Sequence, residues 1–207
     1  MKLIQSYLSK RKQKVRINNS FSSLQEIEHE VPQGSILGPL FFNIHMCDLF
    51  WFIEAWETAN YADDTTPYTS DIKMEDVIKS LEKCSEILFK WFDDNYMKAN
   101  SDKSHLLLST EENLNANING DIIPNSKSEK LLGVTIDCKL NFDEHVSRLC
   151  DKASQKLNAL ARIASFMKTE QKRKIMKAFI SSQFGCCTLV WMFCSRRLNS
   201  RINRIQE

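Results

Sequence analysis

Glycine and proline are scarce in this 207-residue chain, at five and four residues, and no long stretch is purely apolar. So little of either leaves no material for a flexible linker, a low-complexity tract or a fibrous repeat. The longest uncharged run, Ala178 to Ser195, contains Ser181, Ser182, Gln183, Gly185, Thr188 and Ser195; it reads as buried protein and not as a membrane span. The seven cysteines keep no framework spacing, and Cys186-Cys187 cannot close an ordinary zinc site, so all read as reduced thiols. Met1-Lys2-Leu3 runs directly into polar residues without the apolar core of a secretory signal. An intracellular location, nuclear or cytoplasmic, is expected, with no membrane partner.

What is present is enough for a core: 43% of residues are apolar and 26% charged, and helix should outweigh strand. The net charge of +2 conceals a split at Lys139. Residues 139–207 carry 14 Lys/Arg against 5 Asp/Glu, whereas residues 1–138 carry 14 against 21. The opening stretch is a further exception, with Lys2, Lys10, Arg11, Lys12, Lys14 and Arg16 and no acid. Basic segments attract polyanions by counterion release, while an acidic centre accepts them only with cations in between. Solvated helix faces are the alternative.

Val15 and Ile17 alternate with basic residues over 14–18, predicting a strand after a short opening helix. Residues 35–50 read as a buried helix carrying Leu37, Leu40, Phe41, Ile44 and Leu49, with Pro39 tolerated near its start. The β-prone stretch 58–69 is interrupted by Asp63-Asp64, as in a hairpin with both acids at its turn. From 75 to 92, Val77, Ile78, Leu81, Cys84, Leu88, Trp91 and Phe92 keep the spacing of an amphipathic helix. Strands are predicted at 104–109, 118–123 and 131–136, the second with Asn119-Gly120 as a turn signal. Beyond Leu140, Val146, Leu149, Ala153, Leu157, Leu160 and Ile163 form one stripe opposed by Arg148, Lys152, Lys156 and Arg162, and another helix is expected over 170–184. The fold class is therefore α+β, with an α+β module over 1–138 and a basic helical module over 139–207.

Tyr61-Ala62-Asp63-Asp64 carries the most chemistry. Adjacent carboxylates held at a tight turn repel each other unless a cation neutralises them. Mg2+ suits such a place because it is hard, takes carboxylate oxygens and bridges to phosphates. The pair alone is unspecific: Asp93-Asp94 recurs where a solvated helix end is expected. Upstream, however, stands Val31-Pro32-Gln33-Gly34-Ser35-Ile36-Leu37-Gly38-Pro39-Leu40-Phe41-Phe42. There Gly34 and Gly38 permit close backbone approach, and Gln33 offers a donor and an acceptor to a base or sugar edge.

Pro-Gln-Gly with its Gly-Pro-Leu-Phe-Phe continuation, followed by Tyr-Ala-Asp-Asp, resembles the reverse transcriptases of non-LTR (LINE-type) retrotransposons. Trp91, Phe92, Asn95, Asn100 and Lys103 are similar to the family's helix and loop after the active-site hairpin. Leu131 to Asp137 looks like the short hairpin that grips the primer, and residues 141–207 are similar to the thumb. Almost the whole chain is covered.

By that resemblance Asp63 and Asp64 are the catalytic carboxylates that hold the metals, Mg2+ or Mn2+, of a two-metal nucleotidyl transfer. Lys103 would assist pyrophosphate departure; Gln33, Gly34 and Tyr61 would shape the nucleotide and template pocket; Gly133, Arg148, Lys152 and Lys156 would face the primer or its backbone. The implied fold is a partial polymerase palm over 1–138, an antiparallel sheet packed on helices, then an all-helical thumb-like region over 139–207, incomplete at its C-terminus. The implied partners are an RNA template, a DNA primer and deoxynucleotide triphosphates.

One departure limits this. The family's further metal-bridging aspartate lies in a Phe-Asp-x-Val segment before the Gln-Gly motif, and this sequence contains no such segment. Met1 to Leu8 looks like the helix that follows it, so the fingers, the first palm strand and any endonuclease domain are expected to lie outside this sequence. Without the bridging carboxylate the chain alone is expected to be inactive, and an incomplete palm to be marginally stable. The alternative function is a non-enzymatic retroelement remnant that binds nucleic acid or a protein partner through basic helices, Lys172, Arg173 and Lys174 included. An unrelated metal phosphoesterase would need supporting ligands, and His29, His45, His105 and His145 are scattered; they read as surface or packing residues, and Cys84, Cys138 and Cys150 as small apolar fillers.

Overall fold

A computed structural model describes residues 2–27 and 34–206. They fall into two compact units: Met1–Asp102 with Asn117–Asp121, and Lys103–Ala116 with Ile122–Glu207.

In the first unit α1 (Lys2–Leu8) leads into β1 (Lys12–Gln13), β2 (Arg16–Ile17), β3 (Ser20–Phe21) and β4 (Gln25–Glu26). These nest, β2 pairing with β3 and β1 with β4. The strand expected over 14–18 is thus only Arg16–Ile17, and Val15 and Ile17 stay exposed. Next come α2 (Gly38–Met46) and α3 (Leu49–Phe52), with Pro39 in the first turn of α2 as its missing N–H permits. The expectation of one buried helix over 35–50 is corrected in two ways. The helix breaks at Cys47-Asp48, and Leu37, Leu40 and Ile44 are exposed. A helix packed against one neighbour covers one stripe, and here that stripe runs through Phe42, Met46, Leu49 and Ile53.

A hairpin follows, β5 (Glu57–Tyr61) and β6 (Asp64–Tyr68), and then the long α4 (Met74–Asp94). The sequence stripe of α4 is the buried one: Val77, Cys84, Leu88 and Trp91 are inside. Cys84, Leu88 and Trp91 close the core with Met46, Leu49 and Ile53, and the Trp56 Nε1–H donates to Ser80 Oγ at 2.8 Å across it. Burial pushes the Cys84 thiol up to about 11, so it stays protonated and packs as an apolar filler. β6 lies against α4, which gives the hairpin its platform. Asp93-Asp94 is an exposed helix end, as expected.

In the second unit no strand forms over 104–109, contrary to expectation. Leu106 and Leu108 alternate inward, but the partner is a side chain: the Leu108 N–H donates to Asn125 Oδ1 at 2.8 Å, leaving a single bridge between Leu106 and Asn125. The stretches expected as strands at 118–123 and 131–136 each contain a turn. β7 (Asn115–Ile118) and β8 (Asp121–Pro124) flank Asn119-Gly120, a tip that over Asn117–Asp121 groups with the first unit; β9 (Ser128–Leu131) and β10 (Val134–Asp137) flank Leu132-Gly133. Helix α5 (Asp143–Ile163) buries Val146, Cys150, Ala153 and Leu160. The helix expected over 170–184 is regular only in α6 (Thr169–Ile175); Met176–Ile180 widens into a π-turn and Ser181–Phe184 tightens into a 3-10 turn. Ser182 contributes to this irregularity, its hydroxyl donating to the Ala178 carbonyl. The departure turns Ile180 and Phe184 into the core, where α7 (Arg196–Gln206) adds Ile202 and Ile205. Among the described residues no helix is long and apolar enough to cross a membrane.

The molecule is α+β, and its described strands form five two-stranded antiparallel sheets, none larger. Leu49 is fully buried at the junction of α3 and α4. Leu49→Ala is expected to cost about 2–5 kcal/mol of first-unit stability, measured by urea unfolding followed through tryptophan fluorescence.

Candidate active site

The carboxylate pair sits where the sequence predicts. Tyr61 pairs with Asp64, so the loop of the β5–β6 hairpin is Ala62-Asp63 alone. Ala62 has φ +54°, in the left-handed region that glycine enters with least strain, and Asp63 does not share the positive sign. Alanine there tolerates a backbone that costs on the order of 1 kcal/mol. Asp63 and Asp64 are both exposed, and among the described residues neither carboxylate has a hydrogen-bond or ion-pair partner. Two unpaired, adjacent acids fit the demands of a hard divalent cation, but a complete protein cage needs more oxygens. Among the described residues no group of three or more His, Cys, Asp or Glu is gathered.

Tyr61 is exposed beside the pair. Gly34 stands in a turn ahead of α2 at φ +76°; nothing lies where its Cβ would be, so backbone conformation and not space asks for glycine. Gln33 lies outside the described residues. The other predicted residues belong to the second unit. Lys103 ends a 3-10 turn, exposed. Gly133 has φ +89° and Leu132 φ +48°, which makes a type I′ turn of the β9–β10 tip. Arg148, Lys152 and Lys156 recur every four residues on the exposed face of α5. Lys152 and Lys156 have no ion-pair partner among the described residues, whereas Arg148 is bonded to Glu144 at 2.5 Å.

Sequence reading missed two residues. The Asp137 carboxylate accepts the backbone N–H groups of Lys139, Asn141 and Phe142 at 3.0, 3.3 and 2.7 Å, folding the loop that aims α5 through the left-handed Leu140 and Phe142. An aspartate just before a helix is the one signal that could have flagged it. His145, expected as a surface or packing residue, is buried and accepts the Thr135 N–H at Nδ1. Nothing in sequence separates that histidine from a filler. Beside the loop, the exposed ion pair of Lys139 with Glu111 raises the lysine pKa and lowers that of the glutamate, through the hydrogen bond first and the charge second.

Comparison with known proteins places the chain among known sequences. A family model described as reverse transcriptase (RNA-dependent DNA polymerase) matches residues 1–136. The chain is 27% identical to "Probable RNA-directed DNA polymerase from transposon BS" of Drosophila melanogaster, over 99% of this chain and 24% of that protein. It is 26% identical to the RNA-directed DNA polymerase from mobile element jockey of the same species, over 71% of this chain and 17% of that one. The jockey protein of Drosophila funebris is 25% identical, over 99% and 24%. The chain thus spans about a quarter or less of the length of these relatives. No solved structure matches it.

The turn geometry is testable. Ala62→Gly is expected to slow amide exchange in β5 and β6 or leave it unchanged, gaining at most about 1 kcal/mol, whereas Ala62→Val should lose about 1 kcal/mol or more. Equal protection in both variants would remove the strained turn from the account.

Proposed function

The chain belongs to the reverse transcriptase (RNA-dependent DNA polymerase) family, and we propose that it forms the Asp63-Asp64 part of a non-LTR retrotransposon polymerase that extends a DNA primer on an RNA template. The observation that carries this reading is the hairpin, which sets two adjacent carboxylates, unpaired among the described residues, at its tip, Asp63 in the two-residue loop and Asp64 at the first position of β6. Asp63 and Asp64 would hold Mg2+ or Mn2+, which when bound neutralises charge on the phosphates of the incoming deoxynucleotide and activates the primer hydroxyl. Gly34 and Tyr61, with Gln33, would line the nucleotide and template side. Lys103 would meet the departing pyrophosphate as a cation. Residues 1–138 would make the palm portion and 139–207 the thumb-like portion, with the Gly133 tip on the primer.

Lys152 and Lys156 would bind backbone phosphates, since a lysine pair with no ion-pair partner among the described residues has charge to offer a polyanion. The 207 residues supply two acids of the set, and alone they would lack polymerase activity. This leaves room for the second reading, nucleic-acid binding without catalysis, which the same lysine face favours.

Primer extension on an RNA template with Mg2+ or Mn2+ should be undetectable for the chain alone; extension that Asp63→Ala/Asp64→Ala abolishes would overturn the inactive reading. Mn2+ binding, followed by loss of its free paramagnetic signal, should occur in the native chain and vanish in the double variant. Binding to a primer–template duplex should weaken with salt, and Lys152→Gln/Lys156→Gln should flatten the slope of log K against log salt by about 2. An unchanged slope would remove α5 from the interface.

A further inference from the structure

Four groups meet where β10 lies on α5. The Thr135 N–H donates to His145 Nδ1 at 3.2 Å, Arg148 Nη1 donates to Thr135 Oγ1 at 3.5 Å, and Arg148 Nη2 donates to Glu144 at 2.5 Å. Thr135 is 6% and His145 8% exposed. The register explains why the first contact is needed. Val134 pairs with Leu131 around a two-residue turn, so the next pair, Thr135 with Lys130, is a non-hydrogen-bonded one. The Thr135 N–H therefore points off the free edge of the ribbon into the packed side, where an unmatched donor is costly.

We propose that His145 is a positioning residue whose neutral imidazole, as the Nε2–H tautomer, caps the edge N–H of Thr135 and pins the β9–β10 hairpin to α5, a clamp that opens when the ring takes up a proton. An acceptor at Nδ1 exists only in that neutral tautomer; protonation turns it into a donor facing a donor. The charged groups acting on the ring are Arg148 and Lys152 of α5, while Glu144 is engaged by Arg148 and Asp137 of β10 by the loop. Burial first, then these two cations, hold the His145 pKa below the ordinary histidine value. The clamp is therefore complete above about pH 6.5, where an unfolded histidine titrates, and is lost as pH falls through the lower folded value. Taking the pinned hairpin as the primer contact rests on the reading above; the clamp itself does not.

The test uses the full chain: NMR amide exchange at Thr135, corrected for intrinsic rate, together with the imidazole nitrogen shifts of His145. Exchange should be slow at neutral pH and roughly five- to tenfold faster once the ring is charged. His145→Ala should exchange fast at every pH. His145→Asn, whose Oδ1 can stand near the place of Nδ1, should stay protected and lose the pH dependence. A histidine that merely fills space would lose protection equally in both variants, and that result overturns the clamp, as does a Thr135 amide indifferent to His145 titration. If the clamp behaves as described while duplex affinity ignores His145→Ala, the clamp stands and the primer role of the hairpin falls.

Discussion

A two-stranded ribbon gains too little from its own ladder to hold a fixed shape in water, and every described strand pairs with a single neighbour. Shape must come from the helix beneath. For β5–β6 that helix is α4, which is itself fixed through Cys84, Leu88 and Trp91 against Met46, Leu49 and Ile53. For β9–β10 it is α5, reached through Val134, Ile136 and the bond from Thr135 to His145. The tips that would touch substrate, Asp63-Asp64 and Leu132-Gly133, are thus aimed by packing well away from them. Each tip turn uses backbone that only a two-residue loop demands, so the loop sets direction while the helix sets position.

Charge follows the same division. Among the described residues the acids at the tip have no cation paired to them, and Lys152 and Lys156 of α5 have no acid paired to them, the Glu144 carboxylate of that helix being taken by Arg148. Exposed ion pairs contribute about 0–1 kcal/mol, so pairing those lysines internally would have gained little stability. Arg148 differs: its guanidinium is engaged by Glu144 and by the Thr135 hydroxyl. Lys152 and Lys156 then carry the available charge of that face.

Long periodic helices were legible because one buried stripe repeats over many turns, as in α4 and α5, and the Asp63-Asp64 hairpin because turn chemistry is local. Strand pairing was not. At 104–109 the apolar alternation was right, yet Asn125 supplied the partner from its side chain, a contact that no periodicity encodes. The helix over 170–184 failed for a related reason: apolar spacing places Ile180 and Phe184 inward but does not say that the backbone must widen and tighten to bring them there. His145 and Asp137 act through backbone N–H groups, which leave no trace in the sequence of the segments that donate them.

The two units differ in how well they satisfy themselves. Among the described residues, the buried polar atoms without a hydrogen-bond partner in the protein, Tyr7 Oη, Asp48 Oδ1, Thr58 Oγ1 and Trp91 Nε1, all lie in the first unit. The same unit exposes Leu40 and Ile44 on α2 and Leu37 just before it, with Ile36 97% and Trp51 79% exposed nearby in sequence. Each orphaned polar atom costs about 1–3 kcal/mol, and open apolar surface of this kind contributes no burial and invites association. Anything that covers α2 stabilises it, and α2 shares Met46 and the adjoining Leu49 with the core that seats α4. Since α4 seats β6, the Asp63-Asp64 hairpin stands on a helix that packs into the core that Met46 and Leu49 complete.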